Sequence, residues 1–109
     1  MNDAEVRRIA EAFALGRPTG GAVAVARGEM GRIWRFETDR GPVAVKELFW
    51  PVDEDGAQMD VAYQRAALAA GLPLPRPILS ESGSVLVRLD RPDSELVVRA
   101  YEWAELRRP

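Results

Sequence analysis

The first residues of the chain place apolar side chains at helical spacing. Val6, Ile9 and Phe13 recur three and four positions apart within residues 3–15, with charged residues and alanine between them. A glycine and a proline follow shortly afterwards, and both residue types end helices. The pattern predicts a short amphipathic helix over residues 3–15.

From residue 21 onwards the apolar positions alternate with a period of two. This is the period of a strand, in which successive side chains point to opposite faces. Short stretches rich in glycine and aspartate separate the alternating segments, which favours tight turns. We therefore expect three consecutive antiparallel strands, at residues 22–27, 32–38 and 42–49.

A second helix is predicted after the third strand. Pro51 and the acidic residues 53–55 are typical of a helix N-terminus, where carboxylates interact favourably with the helix dipole. The alanine-rich segment that follows favours helix as far as Gly71. The prolines of residues 72–77 then indicate an extended connector, because proline disfavours helix at the residue before it.

The remaining segments complete the predicted fold class. Apolar stretches bounded by turn residues indicate strands at residues 78–80, 84–89 and 95–103. Because most connections are of hairpin length, we expect a mostly antiparallel sheet of five or six strands. The prediction is a single α+β domain over residues 1–109, whose sheet and crossing helix span about 21–103 and which carries an extra N-terminal helix.

Composition and charge exclude several classes of function. The chain has 109 residues, 47% of them hydrophobic and 29% charged, as expected for a soluble globular domain. Its net charge of −2, with the two signs interspersed, argues against nucleic acid or a membrane as partner. A charged N-terminus and the lack of a long apolar run predict a cytoplasmic location. Without cysteine or histidine, the chain has no disulfides, no zinc site of those ligands and no imidazole base.

One lysine stands inside an apolar strand. Lys46 is the only lysine of the chain, beside fourteen arginines. Alternation places it on one face of the third strand with Ala44, and places Val43 and Val45 on the other face, which we expect to meet the crossing helix. A buried ammonium needs a carboxylate, a phosphate or water at its tip, unless the side chain reaches solvent from a strand edge. Lysine offers a compact point charge that suits phosphate.

The first strand shows a similar asymmetry. Alternation places its two valines on one face and Ala22, Ala24 and Ala26 on the other. An alanine-lined face beside Lys46 is shallow and apolar and ends in one positive charge. Such a surface could accommodate a flat aromatic ring that carries an anionic tail.

Three sequence motifs resemble a known family. They are VAVKEL in the third strand, the connector GLPLPRP and the terminal AYEWAEL. Together they are similar to the N-terminal lobe of the aminoglycoside phosphotransferase and choline kinase-like family, over about residues 23–106. The loop with glycines at 28 and 31 is the least specific part, since an ordinary hairpin turn is its alternative. The resemblance implies a kinase-like N-lobe, with a hinge at about 101–106, that binds ATP.

The resemblance implies roles for residues of the first three strands. Lys46 would hold the α- and β-phosphates of ATP, and Ala44 would lie against the adenine. The loop from Gly28 to Gly31 would cover the phosphates with backbone amides.

The resemblance also implies a hinge and a partner for the lysine. Backbone groups of Glu102 and Ala104 would pair with the adenine edge, and Tyr101 would precede them. Trp103 would belong to the hinge, or would cap the core as an ordinary aromatic residue. The helical acid that orients the lysine in this family corresponds to Asp60, unless Asp60 is simply solvated, and Gln64 is the alternative one turn later.

The resemblance sets limits as well. In the family, the catalytic and metal-binding residues lie in a second lobe, and none of its motifs follows the hinge here. We therefore expect no catalytic residue in this chain, no phosphoryl transfer by it alone, and a need for Mg²⁺ only together with that lobe. The acceptor would be a small hydroxyl compound that the sequence does not identify. The alternative is a stand-alone, non-catalytic binding or interaction module, and the exposed cleft face favours self-association in either case.

Overall fold

The computed structural model describes residues 1–50 and 52–103. These residues form two helices and six strands. In chain order they are α1 (Asp3–Ala12), β1 (Val23–Arg27), β2 (Gly31–Thr38), β3 (Gly41–Leu48), α2 (Glu54–Ala69), β4 (Pro77–Ile78), β5 (Val87–Arg91) and β6 (Ser94–Glu102). Every strand pairing is antiparallel. The structure thus confirms the α+β class and a sheet of six strands. Neither helix in the described part of the chain is long and apolar enough to cross a membrane.

Local signals set the limits of α1. The Asn2 side chain accepts a hydrogen bond from the Glu5 amide, and the Glu5 carboxylate accepts one from the Asn2 amide, which is a capping box. The helix ends at Ala12, three residues before the predicted limit, and Ala14 has a positive φ of 52°. A residue in this left-handed conformation cannot continue a right-handed helix.

Strand β6 is the centre of the sheet. The strand order is β1-β2-β3-β6-β4, and β5 also pairs with β6. β6 thus has β3 along one edge and both β4 and β5 along the other, which buries residues 96–100. Strand β5 begins at Val87, later than predicted, because the amides of Val85 and Leu86 donate to the Glu54 carboxylate, each at 3.0 Å. This contact joins the start of α2 to the sheet.

The two faces of the sheet carry different helices. Helix α1 covers one face, where Val43 and Val45 pack in a cluster with Ile9. Helix α2 lies on the other face, where its Val61 packs in a smaller cluster that Leu48 borders. The prediction that the two valines face the crossing helix is therefore wrong. Alternation correctly placed them on one face, but it holds no information about which helix covers that face.

Strand β1 contains a bulge that changes which side chains share a face. Ala24 pairs with Trp34 and Ala26 pairs with Ile33, so one extra residue, Val25, lies between the two pairs. A bulge of this kind interrupts the alternation of the strand. Consequently the expected face of three alanines is not formed, and Val25 and Ala26 both line the same cleft.

Candidate functional site

A cleft of about 730 Å³ opens on the sheet face that carries Lys46. Strands β1, β2, β3 and β6 form its floor, helix α2 contributes to one side, and Trp103, which follows β6, lines it as well. The cleft brings together six residues singled out from the sequence, which are Ala44, Lys46, Gln64, Tyr101, Glu102 and Trp103. Val25, Ala26 and Ile33 make much of the remaining lining apolar.

The register of the sheet determines the neighbours of Lys46. In the antiparallel ladders Lys46 lies opposite Ile33 on β2 and opposite Arg99 on β6. Two residues further along β3, Ala44 lies opposite Arg35 and Tyr101. Residues directly opposite each other share one face. Lys46 and Arg99 are therefore neighbouring cations on one face of the sheet, of which Lys46 lines the cleft and Arg99 is buried.

Lys46 is half-buried and has no ion pair in the described part of the chain. Gly31 lies next to it, because a Cβ atom at Gly31 would be 3.5 Å from Lys46 Cε. The same Cβ would overlap the backbone carbonyl oxygen of Glu47. Only glycine allows β2 and β3 to approach this closely beside the lysine.

The loop between β1 and β2 is a closed hairpin turn. The Gly28 amide donates to the Gly31 carbonyl at 2.9 Å, and the Trp50 indole donates to the Glu29 carbonyl at 3.0 Å. Gly28 borders a smaller depression with Phe49 and does not line the main cleft. The structure thus places Gly31 near Lys46 and Gly28 further away, with its amide used inside the turn.

The predicted hinge lies at the end of β6. The Glu102 amide donates to the Arg76 carbonyl at 2.8 Å, so a backbone contact from Glu102 to a ligand must come from its carbonyl. Trp103 lines the cleft, with the guanidinium carbon of Arg35 4.8 Å from the centre of its ring. Ala104 lies outside the described residues.

Tyr101 lies on the floor of the cleft, before the hinge. Burial raises the pKa of its hydroxyl, and the nearby Arg99 charge and Gln64 amide act in the opposite direction. The hydroxyl therefore stays protonated at neutral pH, so that Tyr101 adds no negative charge to the cleft.

Asp60 contacts Arg99 instead of Lys46. An Asp60 carboxylate oxygen lies 3.7 Å from Arg99 Nη1, and the Gln64 carbonyl oxygen accepts a hydrogen bond from Arg99 Nη2 at 3.2 Å. The direct pairing of Asp60 or Gln64 with Lys46 that we expected is therefore not formed in this structure. The physical reason is that Arg99 is only 7% exposed, so its charge needs partners, and its planar fork reaches both side chains at once.

The sequence contains a signal for Arg99, which is not among the predicted site residues. Like Lys46, Arg99 interrupts an apolar run, in this case LVVRAY over residues 96–101. Alternation within one strand shows which residues share a face, but the register between β3 and β6 is needed to make the two cations neighbours.

The arrangement suits a flat ligand with an anionic end. The floor is apolar beside the small Ala44, and Lys46 lines it as a cation that has no ion pair in the described part of the chain. The charged residues Arg35 and Glu102 also line the cleft, while Arg99 is buried beside Lys46 and contacts Asp60. Lysine and arginine hold phosphate oxygens through charge-assisted hydrogen bonds. In the described residues there is no cluster of three or more acidic, histidine or cysteine side chains that could hold a metal ion.

Comparison with known proteins gives one informative likeness. No family model and no curated protein matches the chain. The fold is similar to that of a solved structure described as amicoumacin kinase hAmiN in complex with AMP-PNP, Ca²⁺ and Ami, with a TM-score of 0.67 and 15% identity. The similarity covers 95% of this chain and 31% of that protein, so the chain spans about a third of its length. The chain therefore has a kinase-like fold.

Proposed function

We propose that this chain is the ATP-binding lobe of a kinase-like phosphotransferase that acts on small molecules. The observation that carries the proposal is the position of Lys46 and Ala44, on the same face of β3, in a cleft that Tyr101, Glu102 and Trp103 also line. The similarity to a kinase solved with the nucleotide AMP-PNP supports the same conclusion.

The adenine ring would lie over Ala44. A methyl side chain at this position leaves room for a flat ring, and Val25 and Ile33 supply apolar surface beside it. At the hinge, the carbonyl of Glu102 would accept a hydrogen bond from the ring, and Ala104 would provide a further backbone group. Ring burial against apolar side chains, with a few backbone hydrogen bonds that fix orientation, is the usual composition of a cofactor site.

The phosphates would lie at Lys46. Its ammonium is a mobile donor of three hydrogen bonds, and in the described residues it is not occupied by a carboxylate. Gly31 keeps side-chain atoms away from the space beside it. The turn from Gly28 to Gly31 would border the phosphates from the side of β1.

The proposed reaction is transfer of the γ-phosphate of ATP to a hydroxyl group of a small acceptor. Phosphoryl transfer depends on positioning and on metal ions that neutralise the developing charge. By the family resemblance, the groups that position the acceptor and hold Mg²⁺ belong to a second lobe. We therefore propose that the 109 residues bind the nucleotide and do not transfer phosphate by themselves.

A thermal-unfolding experiment tests nucleotide binding. A ligand that binds only the folded chain raises the melting temperature. ATP should raise the melting temperature of the wild-type chain, and the increase should be lost in Lys46→Met. Arg7→Met is a matched control, because it removes one exposed positive charge from α1, on the opposite side of the sheet. An ATP effect of equal size in all three proteins would argue against the proposal.

A further inference from the structure

We infer that Arg99, and not Lys46, is the ion-pair partner of Asp60 in the ligand-free chain. This pairing leaves the Lys46 ammonium available to nucleotide phosphates. Arg99 is thus a positioning residue, since it acts on the ligand through Asp60 and Lys46. The phosphate part of this inference rests on the proposed function. The pairing part concerns the chain without any ligand.

Arg99 is a buried charge that depends on helix α2. Its side chain is 7% exposed, and its guanidinium carbon lies 4.9 Å from the centre of the Tyr101 ring. Its ionic and hydrogen-bonding partners, Asp60 and Gln64, both come from α2. Its Nε atom is buried without a partner in the described residues. A guanidinium in this position loses its hydration, and the Asp60 carboxylate, which is 65% exposed and lies 3.7 Å from Nη1, offsets part of that loss.

Lys46 competes poorly for the same carboxylate. Lys46 and Arg99 are directly opposite each other on β3 and β6, so both extend from the same face. Asp60 is 65% exposed, but Arg99 is more buried than Lys46, so Arg99 loses more free energy than Lys46 when it is left without a partner. Lys46, being half-buried, keeps access to water or to an incoming anion. The carboxylate is therefore engaged by Arg99.

This assignment reverses the expected effect of removing Asp60. If Asp60 oriented Lys46, its loss would weaken the binding of phosphate. If Asp60 is bound to Arg99, its negative charge only opposes the phosphates, and its loss leaves the buried Arg99 charge beside Lys46 without a counter-charge. Asp60→Asn should then bind ATP more tightly, and the gain should grow with the number of phosphates. The sign of the change separates the two arrangements.

The ligand-free arm of the experiment measures pairing by thermal unfolding. One cycle compares Asp60→Asn, Arg99→Met and the double variant, and the other replaces Arg99→Met with Lys46→Met. Non-additive shifts in melting temperature report direct coupling. We expect the shifts in melting temperature to be non-additive for the changes at Asp60 and Arg99. The shifts should be additive for the changes at Asp60 and Lys46. The reverse result would overturn the inference.

A second variant, Arg99→Lys, tests the pairing if Arg99→Met does not fold. Arg99→Lys keeps the positive charge but lacks the fork that contacts Asp60 and Gln64 together. In this background Asp60→Asn should lower the melting temperature by less than it does in the wild-type chain. An equal decrease in the two backgrounds would overturn the pairing.

The ligand arm measures dissociation constants for ATP and AMP. Asp60→Asn should bind ATP about three- to tenfold more tightly than the wild-type chain, with a smaller change for AMP. Asp55→Asn is the matched control, because Asp55 is an exposed carboxylate in the first turn of the same helix and should change ATP binding by less than about twofold. Weaker ATP binding by Asp60→Asn would overturn the inference.

The two arms distinguish this inference from the proposed function. One outcome is that neither the wild-type chain nor any variant binds ATP, while the changes at Asp60 and Arg99 still have non-additive effects on melting temperature. In that case the proposed function and the phosphate part of the inference fail, and the pairing of Asp60 with Arg99 stands. If ATP binds through Lys46 while the changes at Asp60 and Arg99 have additive effects on melting temperature, the proposed function stands and the inference fails.

Discussion

Lys46 and Arg99 lie directly opposite each other on strands β3 and β6, so that two cations extend from one face of the sheet, Lys46 at the cleft and Arg99 at Asp60 and Gln64 of α2. Antiparallel partners of this kind are close enough to repel when both are charged. Asp60 offsets part of the Arg99 charge from the side of α2, and an anion bound at Lys46 would reduce the repulsion further. The cleft should therefore be selective for ligands that carry several negative charges.

The first prediction concerns salt. Because Lys46 is partly exposed, dissolved ions compete with phosphate for it. Raising NaCl from about 50 to about 500 mM should weaken ATP binding at least several-fold and leave adenosine binding nearly unchanged. Titration calorimetry of the two ligands at both salt concentrations provides the measurement. An equal loss for adenosine would show that charge does not dominate the binding.

The second prediction concerns the adenine position. Ala44→Leu fills the space over the floor of the cleft, so it should weaken ATP binding by about tenfold or more. Ala62→Leu is the control, because Ala62 is exposed on α2 and does not line the cleft. Both variants should melt within a few degrees of the wild-type chain. Unchanged ATP binding in Ala44→Leu would place the adenine elsewhere.

The third prediction compares two glycines of one turn. A Cβ at Gly31 would overlap the Glu47 carbonyl, whereas a Cβ at Gly28 would meet no atom within 4 Å. Gly31→Ala should therefore lower the free energy of unfolding by about 1–3 kcal/mol, and Gly28→Ala should change it little. Urea denaturation of the two variants measures the difference. Equal free energies of unfolding for the two variants would mean that strand β3 can move away from the added methyl group without loss of stability.

The fourth prediction concerns pH. Arg91 donates two hydrogen bonds to the Glu5 carboxylate, at 2.7 and 3.1 Å, and these bonds lower the pKa of Glu5 from 4.5 to about 2. A carboxyl group with a lowered folded-state pKa stabilises the fold above its unfolded value, and this stability is lost as pH falls. Glu5 should therefore contribute fully above about pH 4.5 and lose its contribution between pH 4.5 and pH 2.

Glu5→Gln isolates that charge, because glutamine can still serve in the capping box. The variant should be less stable than the wild-type chain by about 1–3 kcal/mol at pH 7, and the difference should shrink towards pH 2. Asp3→Asn, an exposed change in the same helical turn, is the control and should show no such trend. A difference that is constant between pH 7 and pH 2 would contradict the assigned pKa.

The sequence predicts the strands at the start of the sheet well, because a period of two is unambiguous over eight residues. Strands β2 and β3 lie within one residue of their predicted limits. Strand β5 is less accurate, because its start depends on a carboxylate from a distant helix: Glu54 accepts the amides of Val85 and Leu86. Burial raises the pKa of Glu54, but these hydrogen bonds outweigh it and lower the pKa. No local pattern around residue 85 contains that information.

The candidate site was predictable in part. Alternation within β3 placed Ala44 and Lys46 together, and the cleft contains both. The bulge at Val25 and the partner of Asp60 were not predictable, because both depend on the register between strands. The roles in ligand binding of Lys46, Ala44, the turn from Gly28 to Gly31, and the hinge residues Tyr101, Glu102 and Ala104 all stay predictions.

The most direct test of ATP binding at Lys46 uses the fact that the chain has a single lysine. An acyl phosphate of ATP transfers its acyl group to an amine that lies next to the bound phosphates. After treatment of the 109-residue chain, peptide mass spectrometry measures acylation of Lys46, with the N-terminal amine as internal reference. We predict strong acylation of Lys46 that excess ATP suppresses, while the N-terminal reaction stays constant. Acylation of Lys46 that is no stronger than that of the N-terminus, and that ATP does not reduce, would contradict the account.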